Sequence, residues 1–191
     1  MDVPQLVVPG ITNPSALASI ARSRTYKQYC LMVDNALRGK CPFCEIDPKM
    51  NKVIAENEYW LAWPSPAPEK NTKHHFLIVS KRHITDTEEL QPAEQMSLFR
   101  IMRELRQEHG YQSRGILIRD GDARLSAGTI EHLHIHVMVP DGTGRVESPF
   151  YKGVGEEELG VTRAIVFEKI RRGRSPEDLR EAEYELIKGR L

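Results

Sequence analysis

Nowhere in its 191 residues does the chain string together the ~18 apolar residues that a membrane-spanning helix needs, and its start lacks the charged-then-apolar pattern of a secretion signal. No membrane partner is expected, and the expected compartment is the cytoplasm. An excess of either charge is missing too, since 27 Lys+Arg balance 27 Asp+Glu. No global field therefore draws the protein to nucleic acid or anionic lipid, and nucleic acid is not an expected partner. The cationic cluster KIRRGR at 169–174 reads as a solvated helix end. Internal repeats and low-complexity tracts are absent. With 40% hydrophobic and 28% charged residues, the composition suits one globular domain with extensions. Cysteine is scarce, at three, and two of them form the pair Cys41-Pro-Phe-Cys44. In a reducing compartment such a pair points to metal binding or redox chemistry rather than to a structural disulfide.

Histidine is also scarce, at seven, yet EHLHIHVMVP (131–140) spends three on alternate positions: His132, His134 and His136. A period of two marks a half-buried strand, so the three imidazoles should share one face. Leu133, Ile135, Val137 and Val139 should face the core. Strands are also expected at Lys52–Glu56, Tyr59–Trp63, HHFLIVS (74–80) and RGILIRD (114–120). Helices are expected over 14–37, stopped by Gly39, and over 92–109, with Pro92 in its first turn and Gly110 after its end. Two more are expected near 156–172 and 176–189. The order is helix, three strands, helix, two strands, two helices. Strands joined by short turns outnumber the helices between them, which predicts an α+β fold with an antiparallel sheet.

Just before the histidine strand lies a loop of small residues: Gly121, Ser126, Ala127, Gly128 and Thr129. Such a loop lets backbone N–H groups approach an anion, and its hydroxyls add donors. Taken alone it is equally a plain turn. Delivered directly onto neutral imidazoles, it suits nucleophilic attack on phosphorus with a covalent phosphohistidine-type intermediate. Trp60 and Trp63 suit either stacking on a base or a place in the core. His74 and His109 have no evident partner and read as solvated or locally hydrogen-bonded.

The His-x-His-x-His run followed by apolar residues resembles the histidine-triad (HIT) family. HHFLIVSKRHI (74–84) is similar to that family's middle strand, CPFCEI to its N-terminal start, and SAGTIEHLHIHVMV to its active-site strand. The resemblance spans about 41–141, leaving residues 1–40 as an N-terminal arm and helix and 142–191 as a C-terminal helical extension. It implies a five-stranded antiparallel sheet with a packed helix, paired into a homodimer, for which Leu98, Ile101 and Met102 could supply apolar area. It also implies a nucleotide hydrolase or nucleotidyl transferase that cleaves phosphoanhydride or phosphoramidate bonds through a nucleotidyl-histidine intermediate. A phosphorylase, or a non-catalytic nucleotide-binding or interaction module, is the alternative.

On that resemblance His134 is the nucleophile, with an unperturbed pKa near ~6.5, and His136 assists the leaving group. His75, Ser126, Gly128 and Thr129 line the phosphate pocket. Two thiolates and two imidazoles make a closed structural zinc set, and bacterial members resemble this arrangement. Cys41, Cys44, His83 and His132 are accordingly the expected zinc ligands. The chain departs from the family at the ribose end. WLAWPSPAPEKNTK lacks the usual acidic residue, Glu69 being the nearest substitute, and RDGDARLSAGT leaves Asp120 and Asp122 without a secure role.

Overall fold

The computed structural model describes residues 31–32, 35–36, 38–46, 51–121 and 130–148. The helices expected at 156–172 and 176–189, the start of the first helix and the cluster 169–174 lie outside them. Residues 31–32, 35–36 and 38 are helical, and Gly39, in left-handed backbone at φ 63°, ends the helix where expected. Residues Pro42–Gly121 and His132–Phe150 belong to one compact unit, which carries the sheet. No helix among the described residues is long and apolar enough to cross a membrane.

The sheet has five strands: β1 (Ala55–Glu56), β2 (Trp60–Pro64), β3 (Thr72–Ser80), β4 (Gly115–Ile118) and β5 (His134–Pro140). Their order is β1-β2-β3-β5-β4, and every pairing is antiparallel. The α+β expectation is met. Asn57 sets the first hairpin, its side-chain oxygen accepting from the N–H groups of Tyr59 and Trp60 at 3.0 and 2.9 Å. The first strand is shorter than expected: only Ala55 and Glu56 pair with Ala62 and Leu61. The last is shorter too, because β5 begins at His134 and leaves His132 in the bend before it.

Helix α1 (Pro92–His109) has the expected bounds, with Gly110 at φ 62° as its left-handed cap. At its start the Glu94 carboxylate accepts from the Gln91 N–H at 2.8 Å and from Arg82 Nε and Nη2 at 3.1 and 2.9 Å. That two-pronged bond ties the loop after β3 to the helix. A 3-10 turn at Thr87–Glu89, absent from the sequence expectation, fills the same loop under an Asp86 cap.

One face of the sheet packs on α1. Trp60, Ala62, Phe76, Ile78, Leu133, Ile135, Val137 and Val139 form a core with Leu98, Ile101, Met102 and Leu105. Each buried Val, Leu, Ile, Phe or Met among them contributes roughly 1.5–3 kcal/mol. This corrects one expectation: Leu98, Ile101 and Met102, at 5%, 0% and 1% exposure, are core and leave nothing for a partner. The exposed apolar residues of α1 are instead Met96 and Phe99, at 61% and 66%.

Candidate functional site

The opposite face carries the histidines. Register places Leu77 opposite His136, Val79 opposite His134 and His75 opposite Met138, so His75, His134 and His136 share that face. A half-buried strand leaves its second face open to solvent. Instead His75, His132, His134 and Met138 are buried, and Phe43 of the CPFC turn covers part of it.

Hydrogen bonds fix what each ring nitrogen does. His134 Nδ1 lies 2.7 Å from the carbonyl oxygen of His132. A carbonyl only accepts, so Nδ1 bears the proton and Nε2 presents a lone pair. A backbone N–H only donates, so the Glu69 amide, 3.0 Å from His75 Nδ1, marks that atom as an acceptor. His75 Nε2–H then donates to His136 Nδ1 at 2.9 Å. In neutral His136 the remaining proton therefore sits on Nε2. Two neighbouring rings, 5.0 Å apart by centroid, thus offer a nucleophile and a proton donor.

Burial holds His134's pKa down to about 4, and the Arg119 charge pushes the same way against the backbone hydrogen bond. The ordinary value near 6.5 expected from sequence gives way because that face is covered. His134 is accordingly neutral across the physiological range, with its Nε2 lone pair free.

Cys41, Cys44, His83 and His132 offer ligand atoms that all lie within 4.8 Å of one another. Cys44 Sγ is 3.2 Å from His83 Nδ1 and 3.6 Å from His132 Nδ1, and the two Nδ1 atoms are 3.2 Å apart. A tetrahedral zinc with Zn–N and Zn–S bonds of about 2.0–2.3 Å has edges of roughly 3.3–3.8 Å, so the spacing fits. His132 Nε2 donates to the Ser80 carbonyl at 2.7 Å, which leaves its Nδ1 deprotonated for a metal. Burial, the largest cause, pushes the His132 pKa down to about 4. An imidazole lone pair facing a second ring nitrogen and a sulfur is the arrangement a cation reconciles.

The structure thus brings together His75, His134 and His136, and separately the four metal candidates. Ser126, Gly128, Thr129 and Asp122 lie outside the described residues. Asp120 accepts from the Thr87 amide and hydroxyl and so braces the turn after β3. Trp60 belongs to the core, its Nε1 donating to Glu94 O at 2.8 Å. His74 and His109 are partners of each other, with ring centroids 5.2 Å apart beside Phe76. Two residues escaped the sequence reading. Phe43 meets His134 edge-on at 5.2 Å, and Arg119, buried, donates to Ser148 Oγ at 2.9 Å. The apolar residue between two cysteines was a usable signal for the first. The sequence held no comparable signal for the second, which lies one residue past the end of β4.

A family model described as HIT domain matches residues 48–143. The adenosine 5'-monophosphoramidase HINT3 of Danio rerio is 30% identical over 121 residues, covering 56% of this chain and 69% of that protein. The bifunctional adenosine 5'-phosphosulfate phosphorylase/adenylylsulfatase HINT4 of Arabidopsis thaliana is 28% identical over 138 residues, covering 69% of this chain and 91% of that protein. Among solved structures, a zinc-bound histidine triad family protein from Mycobacterium smegmatis aligns with TM-score 0.44 and 24% identity, over 70% of this chain and 97% of that one.

Proposed function

Since the chain belongs to the HIT domain family, we propose that it is a nucleotide hydrolase or nucleotidyl transferase working through a nucleotidyl-histidine intermediate. The observation that carries this reading is the pair of opposed ring states: His134 with a bare Nε2, His136 with a protonated one. His134 Nε2 attacks the α-phosphorus, forming an N–P bond as the P–O or P–N bond to the leaving group breaks. His136 Nε2–H donates a hydrogen bond to the departing atom, and the leaving group takes its proton from solvent, so His136 stays neutral. Water then attacks the phosphorus, the P–N bond to His134 breaks, and the proton that water loses goes to solvent, which releases the nucleoside monophosphate. Ser126, Gly128 and Thr129, just upstream, are the proposed phosphate contacts, while His75, with one ring nitrogen on the Glu69 amide and the other on His136, acts through His136 rather than on the phosphate directly.

Cys41, Cys44, His83 and His132 hold a structural zinc that fixes the turn ahead of the nucleophile and contributes to folding. A thiol pair kept for metal suits a reducing cytoplasm. We place the catalytic domain at 41–141, between the extensions 1–40 and 142–191. Met96 and Phe99, one turn apart and exposed on α1, support a homodimer through that helix.

Mass spectrometry of protein quenched during turnover of an adenosine phosphoramidate or a dinucleoside polyphosphate tests the reading. A mass increment of one nucleoside monophosphate, absent in His134→Ala, is expected. Turnover with no increment, or an increment that survives the substitution, overturns the assignment. The phosphorylase reading is kept because the Arabidopsis relative is named as one. Inorganic phosphate in the assay would then yield a nucleoside diphosphate.

A further inference from the structure

Phe43 has no role in the chemistry above, yet its environment is unlike that of a turn residue. It is the third residue of the CPFC turn, between a half-buried Cys41 and an exposed Cys44, but is itself only 8% exposed. Its ring stands edge-on to three others: Trp63 at 5.5 Å and 74°, His132 at 5.8 Å and 80°, His134 at 5.2 Å and 75°. These are the separations and angles at which aromatic pairs attract.

The His134 ring needs such a contact. Its bond to the His132 carbonyl holds one nitrogen, but a single hydrogen bond still lets an imidazole rock about that axis. Rocking swings Nε2 off the line to phosphorus. A second, lateral contact removes that freedom. Phe43 is itself held firmly, because Trp63, edge-on to it, is fully buried and the next residue, Cys44, is held at the His83–His132 cluster.

We propose that Phe43 is a positioning residue for His134: the metal-binding turn presses its ring against the nucleophile and sets the direction of Nε2. The turn's order thereby reaches the reacting atom without any metal–substrate contact. This rests on the nucleotidyl-histidine reading for its kinetic consequence and not for its structural one.

The test compares Phe43→Ala and Phe43→Leu with wild type in zinc content, thermal unfolding, steady-state kinetics on an adenosine phosphoramidate, and solvent exchange of the His134 Nδ1–H seen by NMR. Leu restores bulk without the ring edge. A purely space-filling role would therefore be rescued by it, and a positioning role would not. Expected in Phe43→Leu are about one zinc per chain, near wild-type unfolding, KM within about 3-fold, and kcat lowered by about 10- to 100-fold, the size of effect that slight misplacement of a reacting group brings. The Nδ1–H should exchange faster. Phe43→Ala should show the same kinetic loss plus lower stability; if it fails to fold, Phe43→Leu alone decides. Wild-type kcat in Phe43→Leu overturns the proposal, and so does loss of its zinc, which would make Phe43 a support of the metal turn alone. If wild type turns over no nucleotide, the functional reading fails by itself. Unchanged Nδ1–H exchange in Phe43→Leu then overturns the positioning role on its own.

Discussion

His75→Ala separates two roles that the sequence merges. As a phosphate contact, His75 would act on substrate affinity. As the donor to His136 Nδ1 at 2.9 Å, it acts on the Nε2–H that steadies the departing atom. A neutral hydrogen bond of this kind contributes about 0.5–1.5 kcal/mol net. At 1.4 kcal/mol per tenfold, its loss frees His136 to turn or to change tautomer and slows departure of the leaving group by roughly 2- to 10-fold. Removing that donor itself, in His136→Ala, should cost about 10²–10³-fold. Both losses should shrink on a substrate whose leaving group departs unprotonated, such as an activated phenolate, whereas His134→Ala abolishes turnover on every substrate. Single-turnover formation of the covalent adduct, measured with an amine and with a phenolate leaving group, isolates the step. If His75→Ala is equally slow on both substrates, or raises KM with kcat intact, the hydrogen-bond relay is wrong and His75 is a phosphate contact after all.

Other outcomes follow from the same geometry. Cys44→Ala should drop zinc from about one per chain to none and lower the unfolding temperature; a variant that still holds stoichiometric metal by elemental analysis would remove Cys44 from the ligand set. Burial first, then the charges of His109 and Lys73, hold the His74 pKa below 6.5. A depressed folded pKa contributes stability above the unfolded value, and that stability is lost as pH falls from about 6.5 toward the lower folded pKa. His74→Gln should therefore flatten denaturant midpoints below pH 6.5, and an unchanged slope would contradict this. Phe99→Glu should convert a dimer to a monomer in light scattering while leaving the fold intact, because its side chain is 66% exposed; a wild type that is already monomeric at micromolar concentration ends the dimer proposal.

The alternation in 131–140 predicts both β5 and its core face, and Leu133, Ile135, Val137 and Val139 are buried as expected. Helix α1 was equally clear, because Pro92 and Gly110 punctuate an apolar stripe. The same stripe misled where Leu98, Ile101 and Met102 were given to a partner. A sequence shows that a face is apolar, not whether sheet or neighbour covers it. The four metal candidates were readable by residue type, whereas the bend that takes His132 out of β5 is a matter of three-dimensional path. The His75–His136 bond could not be foreseen, since it depends on the β3–β5 register. The Asp86 cap could have been: Asp86 and Glu89 have the three-residue spacing of a capping box.

Strand order has a consequence for how the protein is made. β3 and β4 follow one another along the chain but are not neighbours in the sheet, because β5 is inserted between them. His75 and His136, which must meet, are 61 positions apart. Contacts of such long range close slowly, since the intervening chain must be ordered before they return any free energy. A nascent chain that has emerged only through β4 has its helix and most of its strands, but neither His134 nor the complete cluster of Cys41, Cys44, His83 and His132. Reactivity toward nucleotides therefore arises only once the last strand docks, so half-made protein is chemically silent.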